Sequence, residues 1–111
     1  MRSDSVVQQP KSQYGAHVNL SCSVHVGHCA AELTSVMWLK STSYYSGPAP
    51  RMISSSENQN HICQRTESGE TTCVFYLLVT DLSPGEYVYI HCVVTSCGHM
   101  MSGGGTRLYS K

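Results

Sequence analysis

The sequence predicts an all-β fold, a sandwich of two antiparallel sheets, and three observations carry that prediction. The first is alternation. Along Tyr87–Val94, Val88, Ile90, Cys92 and Val94 share one parity, and Tyr87, Tyr89, His91 and Val93 share the other. A period of two marks a strand with one buried and one presented face. The second is a three-residue framework. Cys22 closes the alternating run Val18-Asn19-Leu20-Ser21-Cys22, the lone Trp38 lies about 16 residues on, and Cys92 follows about 70 residues after Cys22. The third is punctuation. Corners such as Ser83-Pro84-Gly85-Glu86 separate short apolar runs, and no helical periodicity lasts longer than a turn.

In chain order, Val6-Val7-Gln8-Gln9-Pro10 reads as a first edge strand. Pro10 lacks an amide hydrogen and fits only where a ladder is interrupted, as in strands that switch sheets. Tyr14-Gly15 turns the chain into a strand over His17–Val24, with Val18, Leu20 and Cys22 inward. His25–Thr34 is expected to be a loop. The next strand puts Val36 and Trp38 inward and Met37, Leu39 and Ser41 outward. Ser41–Pro48 is a polar connection, Pro50–Ile53 a short strand, and Ser54–Asn60 too polar to bury. His61–Gln64 and Thr72–Val79 form a hairpin around Glu67-Ser68-Gly69-Glu70. Leu77, Val79 and Leu82 face one way before the Ser-Pro-Gly-Glu corner. After Cys92, Ser96–Met101 is expected to be a loop, and Gly103–Leu108 resumes a strand.

The Cys22, Trp38, Cys92 spacing resembles the framework of an immunoglobulin domain, in which a disulfide pins two sheets and an indole fills the space beside it. Residues 1–111 are therefore expected to form one such domain, with a core from about 6 to 108. Strand material between Pro50 and Asn60 makes it variable-type (V-set) rather than constant-type. Ser102-Gly103-Gly104-Gly105-Thr106-Arg107-Leu108 resembles the joining-segment strand of antigen-receptor variable domains, with Ser102 where a Phe would stand. Its two outer glycines are expected to form a bulge. With Thr95-Ser96-Cys97-Gly98 after Cys92 and four further cysteines, the chain looks like the variable domain of a novel immune-type receptor of bony fishes. Ile90 stands where such domains usually place a corner Tyr, so that hydrogen bond is either missing or supplied by Tyr89. Arg65 and Glu86 stand where an ion pair beneath the corner is usual.

Six cysteines in 111 residues point to an oxidising compartment and a disulfide framework. With Cys22–Cys92 assigned, three pairings of the other four are open. Cys63 and Cys73 flank the hairpin centred on Ser68, and Cys29 and Cys97 lie in loops at the same end of the sandwich. Geometry therefore favours Cys63–Cys73 and Cys29–Cys97. The competing reading is a zinc site, for which His25, His28, Cys29, Cys97 and His99 offer nitrogen and sulfur ligands. Neighbouring thiols in an oxidising compartment more often form a disulfide, so no metal and no cofactor are expected.

Formal net charge is zero, with 7 basic and 7 acidic residues, which argues against a nucleic acid or an anionic membrane as partner. Paired carboxylates with a common focus are absent, and Gly103–Gly105 follows no strand-to-helix turn, so neither an enzyme nor a phosphate loop is expected. Asn19-Leu20-Ser21 is an N-glycosylation sequon, and Asn19 faces away from the core by parity with Cys22. The expected core includes Trp38, Leu77, Val79 and Ile90.

Two surfaces remain. Leu39, Pro50, Met52, His91 and Val93 are expected on an uncharged outer face, with Met100 and Met101 adjoining. A contiguous apolar patch of that kind marks an interface, and in antigen-receptor variable domains this C-C′-F-G sheet makes the pairing contact, so a homodimer is expected. The loops His25–Thr34, Ser54–Gln59 and Ser96–Met101, with His28, Glu32, Ser96, Gly98, His99, Met100 and Met101, would contact a protein ligand on another cell. The resemblance implies an excised, soluble extracellular domain, with Met1 added, of a single-pass plasma-membrane innate immune receptor engaged in natural-killer-like allorecognition. A homophilic adhesion domain is the competing function.

Overall fold

A computed structural model describes residues 4–14, 17–27, 29–41, 50–55, 61–80, 85 and 87–109, with the side chains of 11–14 left aside. Nine strands occur among them. They are β1 (Ser5–Tyr14), β2 (His17–Gly27), β3 (Thr34–Ser41), β4 (Arg51–Ser55), β5 (His61–Arg65), β6 (Glu70–Val79), β7 (Tyr87–Ser96), β8 (His99–Ser102) and β9 (Thr106–Tyr109), with one short 3₁₀ turn, Ala31–Leu33. A four-stranded sheet runs β1-β2-β6-β5. A five-stranded sheet runs β4-β3-β7, with β8 and β9 both on the far side of β7. All pairings are antiparallel. The two sheets make a sandwich, as the alternation predicts.

The core follows the period-two parity of the sequence. β2 contributes Val18, Leu20, Cys22, Val24 and Val26, β3 Val36 and Trp38, β6 Cys73, Phe75 and Val79, and β7 Val88, Ile90, Cys92 and Val94. Cys22 and Cys92 are bonded across the sheets. Trp38 stands opposite Cys92 in the β3–β7 register and is fully buried, so the indole fills the space beside the disulfide. Leu77, expected in the core, is only partly buried against it. The other bonds are Cys29–Cys97 and Cys63–Cys73, the pairings favoured above. The second joins residues directly opposite in the β5–β6 register. Leu82, Glu86 and His28 lie outside the described residues.

Three expectations about segments are corrected. His25 belongs to β2, which runs to Gly27: its Nδ1 is 3.1 Å from Thr72 Oγ1 and its Nε2 3.1 Å from Glu70, so the ladder with β6 continues past the expected loop start. Pro10 stands where the ladder is interrupted, as expected, but β1 stays in the same sheet on both sides of it. The ladder with β2 shifts register between Pro10 and Ser12 and then resumes. Ser96–Met101 is not a loop but a tight hairpin, β7 and β8 joined by Cys97-Gly98 alone.

Candidate recognition surfaces

The hairpin end is built by backbone chirality and a covalent bond. Cys97 has φ 47° and Gly98 φ 83°. Two successive residues in the left-handed region give the two-residue turn whose twist matches that of paired strands. Glycine adopts this conformation freely, whereas Cys97 must be held in it. Two contacts hold it: the bond to Cys29 and its N–H donated to Leu33 O at 3.2 Å. Beneath them, Thr34 Oγ1 and Ser96 Oγ are 3.0 Å apart, and Thr34 Oγ1 also donates to Ala30 O. The β7–β8 turn and the Ala31–Leu33 turn are thereby fixed to one another.

This end presents Glu32, Leu33, Gly98, His99 and Met100, with Leu33 62% and Met100 71% exposed. Leu33 is missing from the sequence-based set. Its signal is present in the chain, since it is the one large apolar residue between Cys29 and Thr34, but a loop reading treats it as inward. Two expected contact residues are corrected. Ser96 is 1% exposed, its hydroxyl engaged by Thr34. Met101 stands opposite buried Val94 and packs on the core. The extended hairpin places alternate residues on opposite faces, so Met100 and Met101 cannot both be presented. The zinc reading loses its ligands, because Cys29 and Cys97 are bonded to each other and His25 lies in the β2–β6 ladder.

The second surface is the outer face of the five-stranded sheet. Met52, Leu39 and His91 stand in one row across β4, β3 and β7, and Met37 and Val93 in the next. Met52 is exposed, Leu39, His91 and Val93 are half-buried, and Pro50 is exposed just before β4. Met37 and Tyr89 belong to this face as well. The rings of Tyr89 and His91 lie 5.8 Å apart, and Tyr87 stacks on Tyr109 at 4.3 Å. The face is not wholly uncharged, since Arg107 pairs with Tyr89 at its rim. Among the described residues, His91 Nδ1 is buried without a hydrogen-bond partner.

A third arrangement is the expected glycine bulge, together with a clamp on it that the sequence does not announce. Val93 pairs with Ser102 and Ile90 with Thr106, so two residues of β7 face three glycines, and the extra residue is a bulge. Gly103 N still donates to Cys92 O at 2.8 Å. Gln8, reaching across from β1, meets the groups around the bulge. Its Nε2 donates to Ile90 O and Thr106 Oγ1, both at 2.8 Å, and its Oε1 accepts from Cys92 N at 3.1 Å and Gly105 N at 3.3 Å. Both donors and both acceptor sites of one amide side chain are used. Gly105 has φ 86°, and a Cβ there would strike the Tyr89 ring. Tyr89 donates its hydroxyl to Gly104 O at 3.0 Å, so it secures the bulge.

No protein family matches the chain, and none of the curated proteins matches it either.

Proposed function

We propose that the chain is a variable-type immunoglobulin domain serving as the ligand-recognition module of a cell-surface innate immune receptor, similar to the novel immune-type receptors of bony fishes. The observation that carries this reading is the hairpin end. A two-residue turn, bonded through Cys97 to Cys29, offers Leu33, His99 and Met100 on a support that has little conformational freedom left to lose. Rigid presentation lowers the ordering cost of binding, and an exposed apolar tip suits a protein partner better than a small solute. The interrupted strand β8–β9, with its glycine bulge, supports the comparison with joining-segment strands. Three disulfides fit an oxidising, extracellular setting.

In this reading the outer face of the five-stranded sheet pairs two copies of the domain, and the receptor is anchored by a single membrane span beyond the domain. Tetramers of the domain, applied to cells that do not express it, test the reading. Saturable binding to a subset of those cells is expected. Binding confined to cells displaying the same domain would replace ligand recognition with homophilic adhesion.

A further inference from the structure

The outer face of the four-stranded sheet is a second bare surface, and the pairing reading does not use it. Its rows follow from register: Val7, Ser23, Val74 and Ile62 across β1, β2, β6 and β5, then Gln9, Ser21 and Tyr76, then Asn19 and Leu78. Val7 is 48%, Ile62 60% and Leu78 59% exposed. Among the described outward residues the only formal charge is Glu70, engaged with His25 at the far end of β2 and β6. A sheet face that exposes Val7, Ile62 and Leu78, with no described charge besides Glu70, invites association, yet this one carries the sequon Asn19-Leu20-Ser21 on its central strand β2. Asn19 is half-exposed, points outward and stands directly opposite Leu78.

We infer that Asn19 carries an N-linked glycan whose first sugars lie over Leu78 and Tyr76, so that carbohydrate is the occupant of the four-stranded face. In the transfer, Asn19 Nδ2 bonds to the anomeric carbon of the reducing-end N-acetylglucosamine of a lipid-linked oligosaccharyl diphosphate. The bond from that carbon to the diphosphate oxygen breaks, the lipid diphosphate leaves with the electron pair, and the amide nitrogen gives up one proton. Ser21, the hydroxyl residue of the sequon, is buried, with its Oγ 3.4 Å from Gln9 O. Once β1 and β2 have paired, that hydroxyl is closed off, so transfer precedes folding of this sheet. The glycan then shields one sheet face of the sandwich and leaves the other free.

The test uses the chain secreted from eukaryotic cells, in a Leu39→Glu background so that self-association through the five-stranded face does not intrude. Intact mass is expected to exceed the 12.2 kDa polypeptide by one glycan, and Asn19→Gln to remove that increment. Trimming the folded glycoprotein with an endoglycosidase to a single sugar, and Asn19→Gln independently, are expected to raise binding of a hydrophobic dye about twofold. Adding Leu78→Lys is expected to return it to the glycosylated level. A secreted chain of unmodified mass overturns the inference, and so does a glycosylated chain whose dye binding is unchanged on trimming. Neither result bears on cell binding by the hairpin end.

Discussion

Replacing Gln8 with Met keeps the length and volume of the side chain while deleting all four of its hydrogen bonds. Those bonds connect the edge strand of one sheet to β7 and the bulge of the other, at 2.8, 2.8, 3.1 and 3.3 Å. Three of the four partners are backbone groups that the bulge leaves with Gln8 as their described side-chain partner. A buried hydrogen bond contributes about 0.5–1.5 kcal/mol net, and an abandoned partner costs about 1–3 kcal/mol. The site is part-buried, so water replaces some of what is lost, and Thr106 can rotate toward solvent. The net loss is then about 2–4 kcal/mol, or about 8–16 °C in Tm at roughly 4 °C per kcal/mol for a domain of this size. Thermal unfolding followed by circular dichroism, with the disulfides oxidised, reads this directly. Gln8→Glu is expected to fall between the two, since a carboxylate still accepts from Cys92 and Gly105 but cannot donate to Ile90. A Gln8→Met protein melting within about 3 °C of the parent would refute the idea that this side chain fastens the bulge.

Three further outcomes are expected. Trp38→Ala empties the space beside Cys22–Cys92 and should cost about 3–5 kcal/mol; urea unfolding with an unchanged slope measures it. Gly105→Ala combines about 1–2 kcal/mol of left-handed strain with displacement of Tyr89 from Gly104, and the same titration should show a loss of about 2–3 kcal/mol. Leu39→Glu places a charge that must be desolvated twice in a two-fold interface. Sedimentation velocity should show a parent dimer and a variant monomer of nearly unchanged Tm, and a variant that still pairs would remove the five-stranded face from the account.

The framework was legible because it is written in parity. Val18, Leu20 and Cys22, then Val88, Ile90, Cys92 and Val94, alternate with neighbours that are polar or aromatic except for Val93, and one buried face forces that register. The disulfides were legible for the same reason, since a hairpin centred on Ser68 sets Cys63 against Cys73. The ends of strands were less so. His25 looks like a loop residue by composition, but its ladder pairings with Ser5 and Thr72 and its side-chain contacts with Thr72 and Glu70 keep it in the sheet. Cys97-Gly98 was read within a longer loop because a left-handed cysteine is sterically unfavourable, and what holds it there is the bond to Cys29 and the Leu33 carbonyl. That shortening of the loop is what turned Ser96 and Met101 inward. Gln8 carried no local signal at all, for a glutamine on an edge strand is ordinary until the bulge it serves, about 97 residues away, is brought beside it.

The claim that the hairpin end recognises a protein on other cells meets its most direct test in one comparison. Tetramers of the parent and of Leu33→Asp/Met100→Asp are titrated on the same cells that bind the parent. Both substituted residues are exposed, so the variant should melt within a few degrees of the parent. The account predicts that its binding falls at least tenfold, about 1.4 kcal/mol. A stably folded variant that binds as tightly as the parent would contradict it and move recognition away from this end of the sandwich.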